Sequence, residues 1–341
     1  MGGLCLPANR LQKWDILKCF LIFLVVLGHV ADFYTKESQG MRNLYLLIYT
    51  FHMPLFIFVS GLFSKKTVNE KRKDKIFGYL SLYIAIKLIF AVYNACAYGK
   101  FEFSLFTEPH LPWFMLALFA FAVITIAVRD FSPKYVLFFS ILLACLAGYD
   151  REINSFLSLS RIIVYYPFYY LGYLLDAAKI EQLCRKKSAK ISATVILAAA
   201  VTVAFVFGEK LYCLRPLVTG LNPFAALGNH WKFGFLLRLA LYAVSGLICF
   251  AVVVLTPEKT PLGVAAKIGK RTLPIYAFHY IILFILYYKV GINSLFEKIL
   301  PETPELLGVP LAVLVMFVSS LGIFDKIMNL AANPTGIMIR R

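Results

Sequence analysis

Three ionisable side chains, Asp15, Lys18 and His29, fall inside one apolar run spanning residues 14 to 34. Such groups are costly in hydrocarbon, so a segment that keeps them invites a chemical explanation. Lys18 and His29 are 11 residues apart. At about 100° per residue a helix turns roughly three times plus 20° over that interval, which puts both on one face, and a rise of about 1.5 Å per residue sets them about 16 Å apart. Asp15 precedes Lys18 by three residues and joins the same face. One helix then presents a charged pair near its start and an imidazole deep inside. A histidine near its unperturbed pKa is suited to take a hydroxyl proton at neutral pH, and a cation with several donors is suited to hold phosphate.

Other residues join this set by position. His52 and His279 lie in later apolar runs at depths similar to His29, within about two turns of roughly 5.4 Å, so three imidazoles are expected to meet at one level. Taken alone, His279 also suits an interhelical hydrogen bond. Arg72 and Lys75 stand one turn apart where the third apolar run begins, a spacing that can clamp a phosphorylated ligand.

The elements that must position these residues are membrane helices. With 60% hydrophobic and 16% charged residues, the chain is an all-α polytopic integral membrane protein and one membrane domain over residues 1 to 341. Ten candidate spans are expected, at about 14 to 34, 44 to 63, 76 to 98, 112 to 128, 135 to 149, 160 to 177, 191 to 208, 235 to 255, 272 to 290 and 305 to 325. The net charge of +17 reports topology before it reports any nucleic-acid partner. With the N-terminus cytoplasmic, the inner segments and termini carry 22 Lys and Arg against 8 in the outer loops, which favours ten spans with both ends inside.

The short basic N-terminus followed by an uncleaved apolar run reads as a retained signal-anchor, and Leu6 stands where myristoylation needs Ser or Thr. The seven cysteines lack metal-ligand spacing and are expected to be small buried hydrophobes. Basic stretches at 65 to 75 and 179 to 190 suit anionic lipid headgroups.

The run from Trp14 to His29, followed by Phe51, His52, Met53, Pro54, Leu55, Ser60 and Gly61, resembles the opening of acyltransferase family 3, membrane proteins that move acyl groups onto cell-surface sugars. The basic residue, ten intervening residues and histidine of that family fall on Lys18 and His29, and Asp15 also matches. Its basic pair falls on Arg72 and Lys75. Residues 111 to 119, 160 to 175 and 269 to 283 resemble later family segments in the same order. Lys18 departs from the more common arginine, keeping the charge while losing the bidentate fork.

The resemblance implies a multi-pass protein of the plasma or inner membrane that takes acetyl groups from cytoplasmic acetyl-CoA, without a metal, and places them on a surface glycan, exopolysaccharide or lipid-linked sugar. Lys18, Arg72 and Lys75 would hold the nucleotide end of the donor while its thioester reaches His29, with Asp15 fixing Lys18 or orienting water. Spacing leaves open whether His29 is a base in direct transfer or itself becomes acylated. On the acceptor side Arg161 and Trp113 are the candidates, with His52 and His279 lining the same crevice. Trp231 and Tyr212 read first as interface anchors, and Lys87 has no assigned partner.

No esterase-like domain is expected after the last span, so direct transfer or a separate partner in polysaccharide assembly would be required. The competing class is a transporter or flippase of polysaccharide or lipid-linked sugar, which ten spans with buried charges also suit, although no two halves resemble each other. A non-catalytic component of an assembly complex is a third reading.

Overall fold

A computed structural model describes residues 8–107, 111–153 and 156–332, with side chains from residue 12 onward apart from residue 262. The readings placed on Cys5, Leu6 and the tail beyond residue 332 lie outside the described residues. The helices are α1 (Ala8–Tyr34), α2 (Gln39–Leu62), α3 (Lys65–Asn69), α4 (Lys73–Tyr98), α5 (Trp113–Val128), α6 (Pro133–Ala147), α7 (Leu159–Leu174) and α8 (Ala177–Arg185). They continue as α9 (Lys187–Leu211), α10 (Arg215–Val218), α11 (Gly234–Leu255), α12 (Val264–Gly269), α13 (Thr272–Phe284), α14 (Ile292–Ile299), α15 (Gly308–Ser319) and α16 (Gly322–Ala332). Extended pairing among the described residues is limited to a bridge between Thr107 and Phe156.

Six of these helical stretches are long and apolar enough to cross a bilayer, or seven if a pair bent by 115°, Ile292–Ile299 with Pro304–Ser319, is one span. Ten crossings are therefore not confirmed. Helices α5, α6 and α7 have 16, 15 and 16 residues, and at about 1.5 Å per residue they reach about 24 Å against about 30 Å of hydrocarbon. The tenth expected segment is also interrupted, because α15 stops at Ser319 and α16 starts at Gly322.

The chain forms two compact units. The first comprises Met1–Ile48, Glu181–Glu209 and Leu247–Asp325. Its centre is α1, which is apolar around most of its circumference and buries Trp14, Leu17, Leu21, Ile22, Val26 and Val30. Helices α12, α13 and α15 pack on it. Lys13 Nζ donates to the Thr256 carbonyl at 2.7 Å and Trp14 Nε1 to Glu181 at 2.9 Å, fixing its start. Tyr34 donates to Asn293 at 2.6 Å and faces the Tyr287 hydroxyl at 3.3 Å, fixing its end.

The second unit comprises Tyr49–Ile180, Lys210–Gly246 and Lys326–Arg341. Here α4 packs on α5, α5 on α7 and α6 on α7. Pro54 inside α2 lacks the N–H that would bond the Thr50 carbonyl. The Ser245 hydroxyl donates to that carbonyl instead. Tyr242 likewise donates to the Val164 carbonyl in the turn before Pro167 of α7. Proline breaks in both helices are thus matched by hydroxyls projecting from α11.

Lys87, which had no assigned partner, donates to the Thr107 carbonyl at 2.9 Å and lies over the Tyr83 ring, tying the segment after α4 back onto that helix. Cys19, Cys145, Cys184 and Cys249 are buried as expected, whereas Cys96 and Cys213 are exposed. Both of these stand near helix ends, where packing stops.

Candidate active site

The first unit holds four of the candidate residues. Asp15 and Lys18 form an ion pair at 2.7 Å, three residues apart on α1, with side-chain exposures of 10% and 28%. The carboxylate is sheltered, while the lysine side chain is partly exposed. Gly269, the last residue of α12, sits against the Asp15 carbonyl so closely that an added Cβ would collide with it. The absence of a side chain there lets the segment entering α13 lie on the charged turn.

Farther along α1, His29 meets α13. Its ring centroid is 5.3 Å from that of His279, with the planes tilted by 36°, and 4.8 Å from that of Tyr280, edge to face. His279 is fully buried and its Nδ1 lies 2.8 Å and 3.0 Å from the carbonyls of Ile275 and Tyr276. The seam continues with Phe33 stacked on Tyr287 at 4.0 Å. At that level α13 gives way to a π-helical stretch, Ile285–Val290, a distortion that often accompanies functional sites. Because α1 is one continuous helix, Lys18 and His29 keep the separation of about 16 Å set by the helical rise.

The remaining candidates belong to the second unit. His52 is buried and edge-on to Tyr49, with ring centroids 4.9 Å apart. Arg72 is the N-cap residue of α4 and its guanidinium bonds Asp74 at 2.8 Å, while Lys75 is exposed in the first turn. The cations at 65, 66, 71, 72, 73 and 75 surround this helix start, an arrangement that favours anions. Arg161 lies over the Trp113 ring at 4.9 Å, and Trp113 stacks on Tyr165 at 5.6 Å.

One residue here escaped the sequence reading. Arg238 of α11 is 2% exposed, donates to the Leu217 carbonyl at 2.8 Å and lies 5.8 Å from the Phe224 ring centre, while its Nε is buried without a hydrogen-bond partner. A lone arginine in an apolar run was the available signal. Trp231 is exposed, and Tyr212 carries Arg215 over its ring at 5.9 Å, arrangements compatible with interface anchoring.

Among the described residues no group of three or more His, Cys, Asp or Glu side chains is placed to hold a metal ion. Outside the spanning helices, two carboxylates are held below their usual range. Backbone N–H groups of Ala178 and Lys179 do this for Asp176, and the Arg185 guanidinium does it for Glu258.

The profile of an acyltransferase domain family matches residues 11–325. The chain is similar to nodulation protein NolL of Sinorhizobium fredii, at 27% identity over 191 residues, 51% of this chain and 51% of that protein. It is also similar to nodulation protein NolL of Mesorhizobium japonicum, at 24% identity over 286 residues, 79% of this chain and 75% of that protein. The alignment with the first thus spans about half of that relative's length. No solved structure matches. A family match running from the start of α1 to α16, through both units and every candidate residue, shows that the chain belongs to acyltransferase family 3.

Proposed function

We propose that this protein transfers an acyl group, acetyl in the simplest case, from cytoplasmic acyl-CoA to a hydroxyl of a cell-surface or lipid-linked sugar. The observation that carries the reading is α1 itself, with a partly exposed cation at one end and an imidazole about 16 Å farther along the same continuous helix. A donor with phosphates on one end of a long arm and a thioester on the other needs that separation. Lys18 holds the phosphate end, with Asp15 orienting it, and His29 takes the proton from the attacking hydroxyl. Arg72 and Lys75 are proposed as further phosphate contacts, and Trp113 and Arg161 as acceptor contacts, on the family resemblance. The protein works as one multi-pass domain of the plasma membrane with both ends cytoplasmic, either acting directly on the glycan or alongside a polysaccharide-assembly partner.

The test is incubation of membranes containing the protein with labelled acetyl-CoA and a glycan extract. Label should appear on glycan, and His29→Ala should lower transfer by about 10²–10⁴-fold at unchanged protein level. Full activity in that variant refutes the role of His29. Movement of glycan across the membrane without label would support a carrier instead.

A further inference from the structure

Carbonyl oxygens only accept hydrogen bonds, so the 2.8 Å and 3.0 Å contacts from His279 Nδ1 to Ile275 and Tyr276 require the proton to sit on Nδ1. In the neutral ring Nε2 is then a bare lone pair. That atom is buried and has no hydrogen-bond partner. Buried polar atoms are rarely left so, and each one that is calls for an explanation. Loss of a generic interhelical bond does not supply it, because His279 already bonds its own helix through the other nitrogen.

The nearest aromatic ring to His279 given by the packing of α1 on α13 is that of His29. Two imidazoles joined edge to edge by an N–H···N bond of about 2.9 Å have centroids about 5 Å apart. The observed separation is 5.3 Å. The two rings are therefore at the separation that an N–H···N bond between them requires. We propose that His279 is a positioning residue for His29: its lone pair accepts one His29 N–H and so selects the tautomer whose other nitrogen faces the acceptor hydroxyl.

The proposal rests on His29 as the base. In the transfer, the sugar O–H proton moves to the other, unprotonated nitrogen of His29 as the new ester C–O bond forms. His29 becomes doubly protonated, one N–H held by His279. As the thioester C–S bond breaks, the proton passes to the departing thiolate, giving free CoA thiol and neutral His29. His279 exchanges no proton with substrate, a role distinct from the acceptor contact first assigned to it.

The experiment compares His279→Ala, His279→Gln and His29→Ala in membranes, with kcat and KM measured for acetyl-CoA and for glycan. Glutamine places an acceptor oxygen near the position of Nε2, whereas alanine does not. We expect His279→Ala to lower kcat about 10- to 100-fold, the usual cost of losing an orienting partner, with both KM values changed less than about threefold, and His279→Gln to recover most of the rate. In protein labelled with ¹⁵N-histidine, His29 should show one tautomer in the wild type and a mixture in His279→Ala.

Activity that falls only in step with the amount of folded protein, with Gln no better than Ala, overturns the proposal and leaves His279 a packing residue. Should His279→Ala fail to fold, His279→Gln and the ¹⁵N spectra decide: an unchanged His29 tautomer in a slow Gln variant also overturns it. An inactive His29→Ala beside a fully active His279→Ala refutes the pairing alone, while an active His29→Ala refutes the base assignment on which the pairing depends.

Discussion

Replacing either of two helical glycines by alanine should have opposite consequences. Gly246 lies within α11, and a Cβ there meets nothing within 4 Å. The substitution lowers the entropy of the unfolded chain and improves helix propensity, for a gain of about 0.5–1 kcal/mol. Gly269 ends α12, where the same Cβ collides with the Asp15 carbonyl oxygen and carbon. Backbone cannot swing aside as a side chain does, so α12 must retreat from α1 by about 1 Å or more to restore van der Waals contact. Overpacking of this kind costs about 1–3 kcal/mol, which exceeds the propensity gain.

The same retreat displaces the turn holding Asp15 and Lys18. A misplacement of about 1 Å can cost about 10²-fold in rate. The assay is thermal unfolding of the purified protein in detergent together with acetyl transfer in membranes. At about 2–4 °C per kcal/mol, Gly269→Ala should lower Tm by several degrees and cut kcat/KM for acetyl-CoA, and Gly246→Ala should raise Tm slightly at full activity. If Gly269→Ala leaves both Tm and transfer as in Gly246→Ala, the close packing of α12 on α1 does not position the charged pair and the reasoning fails.

Other outcomes follow from single contacts. Lys18→Met should raise KM for acetyl-CoA about tenfold or more, the scale of one charge-assisted bond to phosphate, and Lys18→Arg should keep or improve it; equal KM in all three proteins would remove Lys18 from the donor site. Arg238→Met keeps most of the volume while removing a buried cation with an unpaired Nε, so its Tm should stay within a few degrees of wild type, whereas Arg238→Ala leaves a cavity and should unfold earlier; matching losses in the two would show that the charge itself stabilises the fold. Glu258 has its folded pKa lowered by the Arg185 hydrogen bond, so its contribution is fully present above the ordinary glutamate value and is lost as pH falls through the folded one. Glu258→Gln should therefore flatten the drop in Tm below about pH 5 and change little at pH 7; an unaltered acid limb would discount this pair.

The positions of Asp15, Lys18 and His29 were legible from spacing because a membrane helix obeys one period along its length, so residues 15, 18 and 29 fall on one face whatever surrounds it. The basic-inside pattern and the apolar runs fixed an all-α membrane protein for a similar reason, since hydrocarbon admits only helices with every backbone group satisfied internally or closed barrels. The number of crossings was less legible. Apolarity is read residue by residue, whereas crossing needs length, and α5, α6 and α7 are short.

What the order of residues could not decide is which helix face meets which. His279 standing beside His29 and Gly269 admitting α12 against Asp15 depend on contacts between segments far apart in the chain, and Lys87 reaching the Thr107 carbonyl and Arg238 buried over Phe224 depend on how the chain turns back between elements. Pairing of that kind is set by side-chain volume and by the need to satisfy polar groups away from water, and both are properties of the packed structure. The sequence by itself determined the chemistry available on α1; the tertiary structure decided that His279 stands opposite its histidine.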